Sequence, residues 1–594
     1  MRRRRQAVGL LGFAGPRLVA ALVAIEVVQA ALPLAVLVAI GVLVGRVVEG
    51  AGVAAPLAGL SALLLAQQLL APLRAAVQWS VTRRVDGEVR SRAMEAACRP
   101  PGIRALEDPA TLDLLSLAGG NIDKHWYATP GGAAAAFVAL GARYLQVGAA
   151  TVILARISAP VAAGLLAVVV PSFVLCRRWA GIRIRAHRDT HGVGRASRYT
   201  AAIANTPPFA KETRLFSLVG WLHQRYGTQW EGISGPRRAA NRIAVRRTVT
   251  LLVAVSPLVA VAFATVGRAA LDGDPGPRQL AVAFQAAILM LAILDPRTDE
   301  IYQLDFGLAA HDALLEVEER VAATSDGRPA PATGRSAAGL PARHIAFSGV
   351  CFSYGGAAPV LDNLDLIVPA GSSVAIVGVN GAGKTTLVKL LAGLYEPEGG
   401  QISIDGVPLG DLDLQSWRRQ LAVIFQDFVR YELAAADNVS FGGLGAGRAP
   451  ETLERVAARA GVAAAVAGLP RGWDTPLARH YTGGADLSGG QWQRVALARA
   501  LYAVEAGARV LVLDEPTANL DVRAETELFA DFLQLTSGLT TILISHRFST
   551  VRHADLICVL DGGRVVEQGS HAELVAAGGR YARLFDLQAA RFRG

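Results

Sequence analysis

Six long apolar runs in the first half of the chain restrict its fold more than any other feature. They cover residues 18–45, 54–73, 131–155, 157–176, 248–267 and 279–294. A helix rises about 1.5 Å per residue, so a run of about 20 residues matches a hydrocarbon core of about 30 Å. In lipid the backbone must satisfy its own hydrogen bonds, which leaves the helix as the form for such runs. The composition agrees, with 52% hydrophobic residues and mean hydropathy +0.35 over 594 residues. Alanine and glycine recur within the runs and permit close helix packing. The last run is short, and its helix is expected to continue through residues 295–315.

The basic residues orient these runs. The formal net charge is +10, but it sits in loops between apolar runs, which argues for a membrane rather than a nucleic acid partner. The chain opens with MRRRR, and residues 177–247 hold fifteen Lys/Arg against Asp189, Glu212 and Glu231. The opposite loops carry only Arg46, Arg156, Arg268 and Arg278. This asymmetry predicts a multi-pass protein of the plasma or inner membrane, with both termini and two long loops in the cytoplasm. The first run is too long for the core of a cleaved signal, and further runs follow it. Four scattered cysteines give neither a disulfide framework nor a zinc spacing.

The long loops, residues 74–130 and 177–247, alternate apolar and charged residues at helical spacing, so the spanning helices are expected to extend beyond the membrane. Asp108 followed by Pro109 marks a helix start by N-cap and first-turn chemistry. The stretch NTPPFAKETRLF predicts a second short helix. Residues 324–342 are rich in Gly, Pro, Ala and Ser and read as a linker. The chain therefore divides into a membrane domain (1–323), the linker (324–342) and a second domain (343–594).

From residue 343 the pattern becomes short β-branched strands, glycine turns and helices. SSVAIVG reads as a buried strand, VNGAGK as a loop and KTTLVKLLAGL as a helix. The spacing Gly-x-x-x-x-Gly-Lys-Thr in that setting is a phosphate loop. Gly378, Gly381 and Gly383 let backbone N–H groups face phosphates, aided by the helix N-terminus. Lys384 adds a point charge, and the Thr385 hydroxyl suits Mg2+. In RVLVLDEPTANLD an apolar strand ends at Asp514, a second Mg2+ group, and Glu515 follows as the candidate general base. A hundred residues after the phosphate loop, ADLSGGQWQR looks built to hold another anion at a helix start.

Together these motifs resemble ATP-binding cassette (ABC) transporters of the exporter type, whose LSGGQ signature here runs from Leu487 to Gln491. The resemblance implies a six-span α-helical membrane domain followed by an α/β phosphate-loop ATPase domain with a helical signature subdomain. It implies ATP and Mg2+ as cofactors. Tyr354 matches the adenine-stacking aromatic, Gln426 the loop glutamine that contacts Mg2+, and His546 the switch histidine. Asn380, Ala382 and Thr386 join the phosphate loop, while Ser488, Gly489, Gly490, Gln491 and Asp521 complete the nucleotide contacts. Trp492, where the family often has Arg, and Ala-Asn-Leu-Asp at 518–521 are departures that remove no catalytic group. Segments 108–115 and 206–213 match coupling helices that dock on nucleotide domains.

One cassette and six spans make a half-transporter, so the resemblance implies a second subunit, a homodimer or a heterodimer with a related chain. Each ATP would then lie between one subunit's loop and the other's signature. The expected function is ATP-driven export of an amphipathic or cationic small molecule or peptide. A lipid flippase, or an importer of a metal chelate on the same fold, is the alternative. Asp295 and Asp299, one helical turn apart with Glu300 beside them, are candidates to receive cationic cargo at a backbone loosened by Pro296. Glu26 and Arg143 within the runs read as a structural pair or interhelical bond, or as cavity-facing groups.

Overall fold

The computed structural model describes residues 2–119, 129–271, 275–292, 299–324, 334–356, 358–443, 447–515, 538–545 and 547–593. The chain forms two units. One comprises Met1–Arg99 and Leu106–Ala323, the other Pro100–Ala105 and Thr324–Gly594.

The first unit is helical: α1 (Arg2–Ala14), α2 (Pro16–Val48), α3 (Ala54–Cys98), α4 (Arg104–Glu107), α5 (Pro109–Ala118), α6 (Pro130–Ile157), α7 (Ala159–Asp189), α8 (His191–Asn205), α9 (Ala210–Leu215), α10 (Val219–Leu271), α11 (Pro277–Leu291) and α12 (Asp299–Thr324). Among the described residues, four helices are long and apolar enough to cross a membrane, namely α2, α3, α6 and α10. The fourth and sixth expected runs fall on α7 and α11, whose described apolar parts, Ala159–Leu175 and Pro277–Leu291, are shorter. Asp295 and Pro296 lie outside the described residues. Helices α3 and α10 hold 45 and 53 residues. At 1.5 Å per residue they measure about 67 and about 80 Å, far beyond a hydrocarbon core.

Small residues and one buried acid join these helices. α6 opens with Gly131 and Gly132, followed by four alanines, all buried. A Cβ on Gly131 would lie 2.3 Å from the Thr82 carbonyl oxygen, so only glycine admits that approach of α3. Asp86 of α3 accepts a hydrogen bond from the Gly131 N–H at 2.7 Å and so caps α6 from a neighbouring helix. At the first loop, Asp108 caps α5 as its sequence implied, accepting from the N–H groups of Ala110 (3.3 Å) and Thr111 (3.0 Å). The second expected tip is a 3-10 turn, Pro207–Phe209, leading into α9.

The second unit holds two sheets. Strands β1 (His344–Phe352), β2 (Leu361–Pro369), β4 (Gly399–Ile404) and β5 (Val407–Pro408) form an antiparallel sheet in the order β2-β1-β4-β5. Strands β3 (Ser373–Val377), β6 (Leu421–Ile424), β7 (Val510–Asp514), β8 (Thr540–Ile544), β9 (Leu556–Asp561) and β10 (Arg564–Gly569) form the other, in the order β10-β9-β3-β8-β7-β6. Its strands from β9 to β6 are parallel. All five residues of β7 and of β8 are buried, the pattern of parallel strands covered on both faces. The helices are α13 (Lys384–Leu391), α14 (Leu414–Arg418), α15 (Ala435–Ser440), α16 (Pro450–Arg459), α17 (Ala463–Ala467), α18 (Gly489–Glu505), α19 (Phe548–Val551), α20 (His571–Ala576) and α21 (Arg580–Arg593).

Two apolar cores divide this unit. One fills the space between the sheets around Phe347, Leu387 and Trp417. The other seats α18 through Trp492, Leu501 and Tyr502 against Val439, Val456 and Leu511. At their edge the turn Phe441–Gly443 presses on α18, and a Cβ on Gly442 would lie 2.1 Å from the Arg499 carbonyl oxygen. Gly442→Ala should therefore strain this seam. We expect it to cost about 1–3 kcal/mol. Thermal unfolding followed by tryptophan fluorescence should show a lower cassette midpoint; an unchanged midpoint would mean that the turn can retreat freely.

Candidate nucleotide site

The parallel sheet brings the catalytic candidates together. Each follows the carboxyl end of a strand, where open α/β sheets bind ligands. The phosphate loop follows β3, Gln426 follows β6, and Asp514 ends β7 with Glu515 next in the chain. β7 lies between β8 and β6. His546 follows β8 in sequence but lies outside the described residues, as does Asp521.

The loop's glycines have separate physical causes. Gly381 and Gly383 take φ of 84° and 101°, in the left-handed region that favours glycine. A Cβ on Gly378 would lie 2.3 Å from the Leu560 carbonyl oxygen, so there the constraint is space. Asn380 and Gly381 are exposed at the loop's apex, whereas Ala382 is buried. α13 begins at Lys384, with Thr385 and Thr386 in its first turn.

The Lys384 ammonium donates to the carbonyls of Gly378 (2.9 Å) and Val379 (3.1 Å). Burial holds its pKa below the ordinary lysine value, opposed by the charges of Glu515 and Asp514. Asp514 is 1% exposed. Burial pushes its carboxyl up, while a hydrogen bond from Thr385 and the charge of Lys384 pull it down. Its Oδ2 is buried without a hydrogen-bond partner among the described residues. A buried carboxylate oxygen left in that state is costly unless a cation or donor meets it. The donor set of Asp514, Thr385 and Gln426 is oxygen-rich and therefore fits Mg2+.

Glu515 adopts φ of 46°, a strained value for a residue with a Cβ. Its N–H donates to the Ile544 carbonyl at 2.9 Å, which ties the strained turn to β8. The Gln426 carboxamide donates to Glu515 Oε2 at 3.3 Å, linking the two loops across β6 and β7. Tyr354 is half-buried, with its hydroxyl 3.2 Å from Thr386 Oγ1 and its ring edge-on to Tyr395 at 5.4 Å.

The signature residues belong to the other core. Ser488 is the N-cap of α18; its hydroxyl accepts from the Gln491 N–H, and its own N–H donates to Gln491 Oε1 at 2.8 Å. This capping box orders the first turn before any ligand arrives. Trp492 is 2% exposed and donates to Asp486 Oδ1 at 3.1 Å. The departure from Arg at this position thus fastens the approach to the helix.

Two arginines that sequence reasoning gave no role turn out to be structural ties. Arg499 on α18 donates to the Asn438 carbonyl at 2.7 Å and to Asn438 Oδ1 at 3.2 Å, and lies over the Tyr431 ring. Fully buried Asn438 donates to the carbonyls of Tyr431, Leu433 and Ala434. The loop after Gln426 is thereby fixed to the signature helix. The available signal was one charge within the apolar run ALARALY. Arg418 donates to the carbonyls of Ala392 (3.0 Å) and Gly393 (2.9 Å) just past α13, and also to that of Pro101. In the same segment the Ile103 N–H donates to the Leu394 carbonyl at 3.1 Å. Within Pro100–Ala105, then, chain from the first long loop packs with this unit.

Fold and site together define a phosphate-loop ATPase cassette carried on a helical unit with membrane-length helices. The family model described as ABC transporter matches residues 361–518. Residues 361–518 are thus similar to that family's ATPase domain, and the chain joins such a domain to a helical unit with membrane-length helices. A solved structure of a bacterial Atm1-family ABC exporter with ATP bound superposes with a TM-score of 0.76 at 24% identity, over 96% of this chain and 98% of that one. Among curated relatives, an ATP-dependent lipid A-core flippase of Thiobacillus denitrificans is 36% identical over 59% of this chain and 58% of its own length. The namesake from Burkholderia orbicola is 43% identical over 41% of this chain and 40% of its own length. The chain thus spans about half the length of the curated relatives it matches.

Asn438→Ala should leave three backbone carbonyls and the Arg499 guanidinium short of partners, at a cost of about 1–3 kcal/mol. Arg448→Ala, which removes only an exposed ion pair with Asp437, should leave stability near wild type. Parallel thermal melts test the contrast, and equal midpoints for the two variants would refute it.

Proposed function

We propose that this chain is one half of a dimeric, ATP-driven exporter of a lipid-like amphiphile. The observation that carries the reading is the convergence of the phosphate loop, Asp514, Glu515 and Gln426 at the carboxyl ends of one parallel sheet, in a chain that also bears membrane-length helices. The positive-inside pattern favours six spans with both termini and the cassette in the cytoplasm.

ATP would take the phosphate loop, and Lys384 would exchange the Gly378 and Val379 carbonyls for phosphate oxygens. Thr385, Gln426 and Asp514 would hold Mg2+, which spreads the charge of the phosphates when bound. Glu515, held in its strained turn, would orient and deprotonate the attacking water. Tyr354 would stack on the adenine, and His546 and Asp521 would complete the site. The ordered first turn of α18 in a second copy, with Ser488, Gly489, Gly490 and Gln491, would close over the γ-phosphate. A like chain supplies that turn, so a homodimer suffices. ATP can drive the change of access because it binds the closed pair better than the open one.

For cargo, the names of the relatives favour a lipid. A cavity of about 510 Å³ in the helical unit, lined mainly by apolar side chains, supports an amphiphile. The cationic reading loses one support, since Glu300 is paired with Arg143 at 3.0 Å; the side chain of Asp299, like Asp295, is outside the description. Lipid-stimulated ATPase and vesicle assays of transport direction separate flippase, drug exporter and importer.

Glu515→Gln should bind ATP yet hydrolyse it about 10²–10⁴-fold more slowly, about 3–5 kcal/mol of barrier. A near wild-type rate would remove Glu515 as the base. The shared site has its own test. Lys384→Ala and Ser488→Arg subunits should each be inactive alone, and mixing them should restore one intact site per dimer. Mixed dimers without ATPase would count against composite sites.

A further inference from the structure

The cavity in the helical unit lies among α1, α2, α6 and α12, with Val23, Glu26, Val27, Phe137, Tyr144 and Leu145 in its wall. Among the described residues Glu26 is the one charged residue lining it, and it is 3% exposed. It accepts from Arg74 Nε at 2.8 Å and from the Gln78 carboxamide at 2.7 Å, both on α3. A second pair stands close by in the fold. Arg143, between the lining residues Ala142 and Tyr144, meets Glu300 of α12 at 3.0 Å. Each of these two arginines therefore has a carboxylate from another helix.

We propose that Glu26 and Glu300 set the head-group preference of this cavity by cancelling Arg74 and Arg143, so that it selects amphiphiles without net charge. The inference rests on the amphiphile reading above. Within apolar surroundings a fixed charge without a counterpart is expensive, and removing one partner of a buried pair leaves the other uncompensated. An anionic head would have to draw Arg74 away from Glu26, and a cationic head would have to draw Glu26 away from Arg74. A neutral or zwitterionic head disturbs neither pair, and its apolar chain meets the lining side chains. With Arg74 uncompensated, the same cavity would attract an anion.

The test uses the full-length protein in detergent and two probes with identical acyl chains, lysophosphatidylcholine (zwitterionic) and lysophosphatidylglycerol (anionic). Stimulated ATPase is measured relative to basal ATPase. The wild type should respond to the zwitterionic probe at lower concentration. Glu26→Gln, which unmasks Arg74, should shift the ratio of half-maximal concentrations towards the anionic probe by about tenfold, the equivalent of about 1.4 kcal/mol. The doubly neutral Glu26→Gln/Arg74→Gln protein should return to the wild-type preference, and it supplies a folded comparison if the single variant is unstable. Glu300→Gln should act on the Arg143 pair in the same direction. Equal response of the wild type to both probes, or no shift in either single variant, would overturn the inference alone. A wild type that hydrolyses ATP but responds to neither probe would overturn the cargo reading and this inference with it.

Discussion

The carboxylate of Asp514 organises the cassette. It ends a strand whose five residues are all buried, and one of its oxygens has no hydrogen-bond partner among the described residues. A charge in that position is tolerable only if the surroundings compensate it. Lys384 and the Thr385 hydroxyl do so in part, and both come from the start of α13. The carboxylate therefore needs α13 placed near the end of β7, with β3 two places along the sheet beyond β8 and a phosphate loop short enough to turn from β3 into α13. Gly378 and Gly383 answer that need, one by space and the other by φ. Much of the site's geometry follows from accommodating one acid that would be a liability elsewhere.

The parts of the site visible in the sequence were those encoded locally. A buried strand, a glycine loop and a helix start occupy consecutive residues, so GVNGAGKT and VLVLDE could be read in place. Asp108 was legible for the same reason, since an N-cap and its N–H donors lie within three residues. What could not be read was pairing across the fold. Glu26 and Arg74 are 48 residues apart, and Arg499 and Asn438 are 61 apart. Glu26 and Arg143 were each plausible members of a pair; the structure gives each a different partner. Apolar length was only partly sufficient. It marked α2, α3, α6 and α10, whereas the described apolar parts of α7 and α11 are shorter than a span.

The signature helix has a division of roles along its length. Its first turn is held by Ser488 and Gln491 and left accessible, while from Trp492 onwards most of its residues are buried in a core of their own. A helix seated this firmly moves as a body with what it is tied to. Arg499 ties it to the segment after Gln426, and Gln426 touches Glu515. Glu515 and α18 are thus joined through two hydrogen-bonded contacts and the intervening segment.

Buried acids in the two units are held differently at Asp514 and at Glu26, although Glu300 of the helical unit, like Asp514, keeps one buried oxygen without a hydrogen-bond partner among the described residues. In the cassette, Asp514 keeps an oxygen without a hydrogen-bond partner among the described residues, and Glu515 is held in a strained backbone conformation. A cation held by Asp514 would satisfy that oxygen. In the helical unit, Glu26 already accepts from two donors, which leaves the cavity little electrostatic grip. That contrast suits the separate tasks. Under the proposed function, a site that changes the conformation of a dimer gains from strong, state-dependent binding. Under the same proposal, a cavity that releases what it takes up gains from weak binding, because cargo held by an unpaired charge in an apolar medium would leave slowly.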